Sequence, residues 1–388
     1  MPRDVVITGI GLVSSLGEGR DAHWDALRAP DRHAVVDEAS FAPWPVHPLP
    51  PLDLDKQIPK RGDQRQMEPW QRLGTYAAGL ALDDAGARGL VSDMHLMVAA
   101  GGGERDIALD EKVTAELADS NDGGARLNER LATGLRPTLF LAQLSNLVAG
   151  NISIVHGVTG SSRTFMGEES AAADALRIAR ARLAEGRGEI ALVGGAFVAA
   201  RWDMLILYRG GGGMWQGPFA PLSQRGAGGI VFGGMAAFLV LEAAEHARAR
   251  GAAPLARLDA VATDASRRRA PGEARAAAEA LLPAVGGPAP AVISAASGAP
   301  EAWAEEQGFL AKLDGAAIRR PGSLLGHGVE AAFPVHVALG ALALSRGGFF
   351  PPLDPADAGE AASPDRVLVT GFGQWRGEAL ASLSRAEG

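Results

Sequence analysis

The chain of 388 residues contains no cysteine. That excludes disulfides, thiolate catalysis and cysteine-ligated metals. Aromatic residues are scarce at 5%, whereas glycine is abundant at 51 residues. This balance suits close helix–sheet packing of small side chains and not a disordered chain. No apolar run reaches bilayer-spanning length. The opening MPRDVVITGIG enters a strand directly, without the charged and apolar regions of a signal peptide. A cytoplasmic location is therefore expected, with any membrane association peripheral. Charge is not segregated: the net value is −8, with acids and bases interleaved. No basic stripe of the kind nucleic-acid binding needs is present. The 8 histidines are scattered. They form no HExxH and no paired-histidine helix, so neither a metal site nor a cofactor is expected.

What is present is hydrophobic substance, 47% of the residues, enough for a large core in one big domain or two fused halves. Val5 to Thr8 is a β-branched run read as a buried strand, ended by Gly9 and Gly11. A tight turn and a helix from about Asp21 to Arg28 follow. Residues Phe41 to Pro59, rich in proline, read as an irregular excursion. Trp70 to Ala85 is predicted helical, with Leu73, Ala77, Leu80 and Ala81 on one face. Met94 to Ala100 is a buried strand. Val113 to Arg136 reads as a polar, loop-rich surface insertion. Phe140 to Ile154 reads as one buried helix, and Glu168 to Ala184 as another. Ile190 to Val193 and Ala237 to Leu241 are strands on either side of a glycine-rich irregular stretch, Arg209 to Gly234. Beyond about Gly251 the pattern restarts: strands over Leu255 to Val261, Ala291 to Ala295 and Val367 to Thr370, helices over Ala274 to Leu282 and Ala331 to Leu344. Apolar strands alternating with helices predict an α/β fold with mostly parallel sheets. Two such stretches in tandem suggest a duplicated unit, residues 1–250 and 251–388.

The local motifs are weak singly. Gly9-Ile10-Gly11 lacks the third glycine of a dinucleotide fingerprint, since Ser14 stands there; a tight strand-to-turn junction accounts for it better. Glu168-Glu169-Ser170 opens a helix, where acids favour the macrodipole and cap free amides. Ser170 lacks the GxSxG context of a hydrolase nucleophile. His327, between glycines in GSLLGHGVEAAFP, serves equally well as a satisfied core histidine or as a site residue.

Taken in order, longer segments are more specific. VVITGIGLVSSLGEG resembles the N-terminal strand and turn of the β-ketoacyl synthases, members of the thiolase-fold superfamily. SNLVAGNISIVHGVTG resembles that family's buried dimer-side helix, and EIALVGGAF the strand after its nucleophile helix. FGGMAAFLVLEAAEHARARGA, GSLLGHGVEAAFP and TGFGQ resemble the segment closing the first half, the histidine motif and the C-terminal glycine-rich loop. The resemblance covers essentially the whole chain and implies a duplicated, five-layered αβαβα fold.

It implies less about activity. An elongating synthase needs a cysteine at a helix N-terminus and two histidines that polarise the malonyl thioester. By the resemblance, Glu169 stands at the cysteine position, Ala296 replaces the first histidine, and His327 retains the second. The family's lysine aligns with Gly322, with Arg319 and Arg320 close by, and its first-half acid with Gly234. The pattern resembles chain-length factors, which pair with an active ketosynthase and contribute interface and tunnel walls. The implied partners are an acyl carrier protein and a sibling ketosynthase, or a second copy of the chain. Leu139, Phe140, Ser145, Asn146 and Phe372 are the implied interface or tunnel residues. IPKRGDQRQME, WQRLGTYAAGLALDDAG, VAAGGGERDIA and LRPTLFLAQLSNLVAGNISI resemble a branch serving very-long-chain fatty acids of lipid A. Three other functions fit the same residues: a malonyl-thioester decarboxylase that primes chains, a non-catalytic homodimer that binds acyl carrier protein, and a chain-length factor of a polyene pathway.

Overall fold

The computed structural model describes residues 2–103, 105–135, 139–375 and 377–386. Ten strands form its main sheet. They are β1 (Val5–Ser14), β2 (His95–Ala99), β3 (Ser162–Phe165), β4 (Ile190–Phe197), β5 (Met235–Ala243), β6 (Ala256–Asp264), β7 (Ala291–Ala296), β8 (Ala317–Arg319), β9 (Arg366–Phe372) and β10 (Glu378–Ser384). Their spatial order is β8-β7-β9-β10-β6-β1-β5-β4-β2-β3, and the short strand Gly17–Glu18 pairs beside β1.

This order is the same motif twice. Numbered within its own half, each set runs third, second, fourth, fifth, first. In each half the second strand pairs in parallel with the third and fourth. The fifth runs antiparallel to both the fourth and the first. The halves meet where β1 pairs with β6, Val6 opposite Arg257 and Ile7 opposite Ala256. The sheet is thus mixed, which corrects the expectation of mostly parallel pairing. The antiparallel share comes from the fifth strand of each half, which lies between the fourth and the first, and from the β1–β6 seam.

Ten helices matter below: α1 (Pro69–Asp84), α2 (Ile107–Ala118), α3 (Gly123–Gly134), α4 (Leu139–Ala142), α5 (Leu147–His156), α6 (Glu169–Ala184), α7 (Trp202–Gly210), α8 (Glu273–Leu281), α9 (Pro300–Leu310) and α10 (Ala332–Ser345). Helices α6 and α10 touch each other and strands of both half-sheets, so they form the middle layer. Helices α1 and α5 cover the first half on the outside, and α8 and α9 cover the second. The result is an α/β fold of five layers, αβαβα. Its sequence logic is direct: α10, apolar all round, is buried from Ala332 to Leu344. The amphipathic α8 lies on an outer face and buries only Ala274 and Ala278.

Several sequence expectations change. Strand β1 does not stop at Gly9 but runs to Ser14. Its glycines permit α1 to approach: a Cβ at Gly11 would fall 1.9 Å from the Ala77 carbonyl oxygen. Val113 to Arg136 is not loop-rich; α2 and α3 pack together as a helical hairpin, and Arg136 lies outside the described residues. Asp106 and Asp122 each accept a backbone N–H as N-cap of one of those helices. Phe140 to Ile154 is not one buried helix. It breaks into α4 and α5, and Phe140 and Ile154 are 70% and 74% exposed.

Gly11→Ala has no room to relax, because the obstructing atoms belong to the α1 backbone. It is expected to lower stability by about 3 kcal/mol or more, read as a fall in the urea midpoint. An unchanged midpoint would contradict this account of the β1–α1 contact.

Candidate functional site

Three chain segments converge at the N-terminus of α6. The first is the turn entering that helix. Gly167 has φ 140° and Glu168 has φ 51°, ψ −129°. These values reverse the chain and set Glu169 inward, where it is buried. Among the described residues, Glu168 and Val329 (φ 41°) are the non-glycine residues with positive φ. Both flank the site, and such backbone geometry persists only where surrounding packing enforces it.

The second segment carries His327. Its N–H donates to the Val231 carbonyl and its own carbonyl accepts from Gly233, each at 2.9 Å. The third is the loop from β9 to β10. There the Gln374 backbone N–H donates to Glu169 Oε1 at 3.2 Å, and His327 Nε2 lies 3.2 Å from the same oxygen. The other carboxyl oxygen, Oε2, is buried without a hydrogen-bond partner. Arg268 anchors this loop: it donates to the carbonyls of Gly373 at 3.0 Å and Gln374 at 3.3 Å, and pairs with the buried Glu378.

Behind Glu169 lie two further buried polar groups. Tyr208 packs on Phe232, with ring centroids 4.9 Å apart, and on Trp375, at 4.6 Å. Its hydroxyl is buried without a partner. Burial, and then the charge of Glu169, push its pKa up. Glu330 is buried, and its carboxyl packs against Gly101, where a Cβ would fall 2.2 Å from Oε1 and displace it. Desolvation foremost, with Glu169 adding to it, pushes the Glu330 carboxyl up to about 7.

The expected site residues divide. The fold brings Glu169 and His327 into contact. Ala296 ends β7 opposite Phe372 at the end of β9, two residues before Gln374. Its methyl group supplies no hydrogen bond. Ser145 is buried and donates to the Gly101 carbonyl at 2.5 Å, which places it on the loop facing Glu330. Asn146 is the exposed residue before α5. Leu139 is half-buried and Phe140 exposed on α4, on the outer surface. Gly322 opens a buried turn. Arg319 and Arg320 do not stand in for a lysine. Arg319 is spent on the carbonyls of Phe350, Ile318, Ala358 and Gly359, and Arg320 on Asp357, Gln307 and Ala356. At Gly234 a Cβ would meet Leu49, in apolar surroundings.

Sequence reasoning missed Glu330, Tyr208, Arg268 and the Gln374 amide. Glu330 lies three residues after His327 inside a segment already singled out, but no periodicity distinguishes it. Tyr208 is one of only 2 tyrosines. Among the described residues no cluster suited to a metal ion is present, and no helix is long and apolar enough to cross a membrane.

Chemically, the arrangement holds a carboxyl group at the head of a middle-layer helix, against a histidine and a backbone amide. A duplicated five-layer fold with its site at that helix head is that of the thiolase-like condensing enzymes. The chain belongs to the β-ketoacyl synthase family: residues 2–247 match its model, "Beta-ketoacyl synthase, N-terminal domain". It is similar to 3-oxoacyl-[acyl-carrier-protein] synthase 2 of Vibrio harveyi, 26% identical over 260 residues, covering 64% of this chain and 60% of that protein. The protein of the same name from Rhizobium meliloti is 28% identical over 277 residues, covering 64% and 61%. The chain thus spans about three fifths of the length of these curated relatives. In fold it is similar to the solved ishigamide ketosynthase/chain length factor, with TM-score 0.81, 19% identity and 100% of both chains covered.

The high pKa of Glu330 has a measurable consequence. A carboxyl whose value rises from 4.5 to about 7 on folding holds its proton more tightly in the folded state. Stability therefore falls as pH rises from about 4.5 through about 7, and is level above. Glu330→Gln removes that fall. Urea unfolding is expected to show the variant more stable by on the order of 2 kcal/mol at pH 8 and unchanged at pH 4. Parallel pH profiles for variant and parent would refute the assignment.

Proposed function

We propose that the chain is a ketosynthase-like subunit of the chain-length-factor type. It pairs with an active ketosynthase that elongates acyl chains on acyl carrier protein. The observation that carries this reading is the carboxyl of Glu169 at the helix head, where condensation needs a thiol. A carboxyl group there forms no stable thioester, and Ala296 cannot polarise one. In this reading His327 is a retained site residue without its own reaction, and residues 1–250 and 251–388 are the two duplicated halves.

The surface supports a partner. Leu131, Leu135, Phe140, Leu141 and Ile154 are exposed apolar side chains, and Leu131, Leu135 and Phe140 among them share one surface cleft. Strand β3 ends the sheet with an unpaired edge. A cleft of about 900 Å³ between α2 and α7 is lined by Ile107, Ala115, Trp202, Ile206 and Leu207. A smaller one of about 430 Å³ is lined by Leu131, Leu135, Leu139 and Phe140. Both suit a wall of an acyl tunnel completed by the partner. Acyl carrier protein enters as partner because the relatives' names include it. The finer assignment, very-long-chain acyl groups for lipid A, rests on the resemblance of residues 58–68, 70–86, 98–108 and 135–154 to that branch.

The deciding experiment is elongation on acyl carrier protein by the chain alone, and by the chain with its sibling ketosynthase, read by mass spectrometry. Activity only in the mixture, with longer products than the sibling gives alone, is expected. Condensation by the chain alone would overturn the reading. In the mixture, Phe140→Ala is expected to lengthen or broaden the products; an unchanged product set would remove Phe140 from the tunnel.

A further inference from the structure

The groups around Glu169 would receive a carboxylate wherever it came from. A backbone N–H and a histidine nitrogen both meet one oxygen, each at 3.2 Å. They stand at the head of a 16-residue helix, whose partial positive charge favours an anion. The second oxygen is buried without a hydrogen-bond partner, as is the Tyr208 hydroxyl. Tyr208 packs on Phe232, which bridges to His327. The Tyr208 hydroxyl also feels the charge of Glu169. Glu169 reaches across to the other half of the chain, to His327 and the Gln374 amide.

We infer that this chamber is a receptor for a small carboxylate and that Glu169 is its built-in ligand. The side chain occupies the place from inside, at the effective concentration of a tethered group. An acyl or malonyl thioester arriving from carrier protein would have to displace it. The site is then closed to substrate as well as deprived of a nucleophile. The inference stands on the geometry alone and does not require a partner ketosynthase, so each can fail without the other.

Shortening the tether should leave the receptor empty. The full-length Glu169→Ala chain, titrated with sodium acetate against sodium chloride at equal ionic strength, is expected to gain thermal stability saturably. Millimolar acetate should suffice, and the parent should show no such gain. Adding His327→Ala is expected to weaken acetate at least about tenfold, as loss of a charge-assisted hydrogen bond does. Glu169→Ser retains a short acceptor for the helix amides and is expected to respond to acetate in the same way. Should both shortened chains fold poorly, acetate or formate during refolding is expected to raise their soluble yield above that in chloride. Equal responses of parent and variants, no response at all, or an acetate effect that survives His327→Ala would each overturn the inference.

Discussion

One carboxyl group ties the two halves of the molecule together at its centre. Glu169 belongs to the first half; His327 and Gln374, which meet its Oε1, belong to the second. Around that contact the fold is arranged as a duplication, with α6 and α10 shared between two half-sheets of identical order. The middle layer sets the constraint. Helix α10 is enclosed and apolar almost throughout, and α6 is enclosed over its first turn, from Glu169 to Ala173, so the polar head of α6 is buried between the half-sheets. Strain at Glu168 and Val329 follows from bringing that end and the histidine segment to one point.

The electrostatics around the contact are those of a closed compartment. Burial pushes the Glu330 carboxyl up to about 7, far above the ordinary carboxylate range. His336, packed nearby in α10, is kept neutral by the same cause, with its pKa pushed down to about 4. Three ion pairs with a buried carboxylate serve the framework: Arg268 with Glu378, Arg320 with Asp357, Arg250 with Glu242. Of these, Arg268 also holds the loop that carries Gln374. Catalytic condensation would demand the opposite, a reactive group left open to a thioester. The polarity of this site is instead turned inward, with one Glu169 oxygen held by His327 and the Gln374 amide and the other left without a partner, while apolar side chains are left outward at Leu131, Phe140 and Ile154.

Much of the fold was legible in the residues. The apolar strands β2, β4, β5 and β9 and the helices α1, α6 and α10 carry enough hydrophobic periodicity to be found without a structure. Strands β3 and β10 were not found. SRTF is a polar edge strand, and EALASLS interleaves small and polar residues; both exist because neighbours pair with them. The helical hairpin of α2 and α3 was hidden for a similar reason. Its helices bury no residue fully, so their pattern lacks the apolar stripe that marks a core helix.

By itself, the sequence determined the absence of a thiol, the carboxyl in its stead, and the apolar pattern that selects a duplicated α/β fold. These are matters of which atoms are present and how they repeat locally. Only the tertiary structure decided what the carboxyl does. Its partners lie 158 and 205 residues away along the chain. Contacts at such separations depend on strand order, and no local spacing records them. The same holds for Glu330 and Tyr208, whose properties come from burial, which is a property of the whole packed molecule and not of any segment.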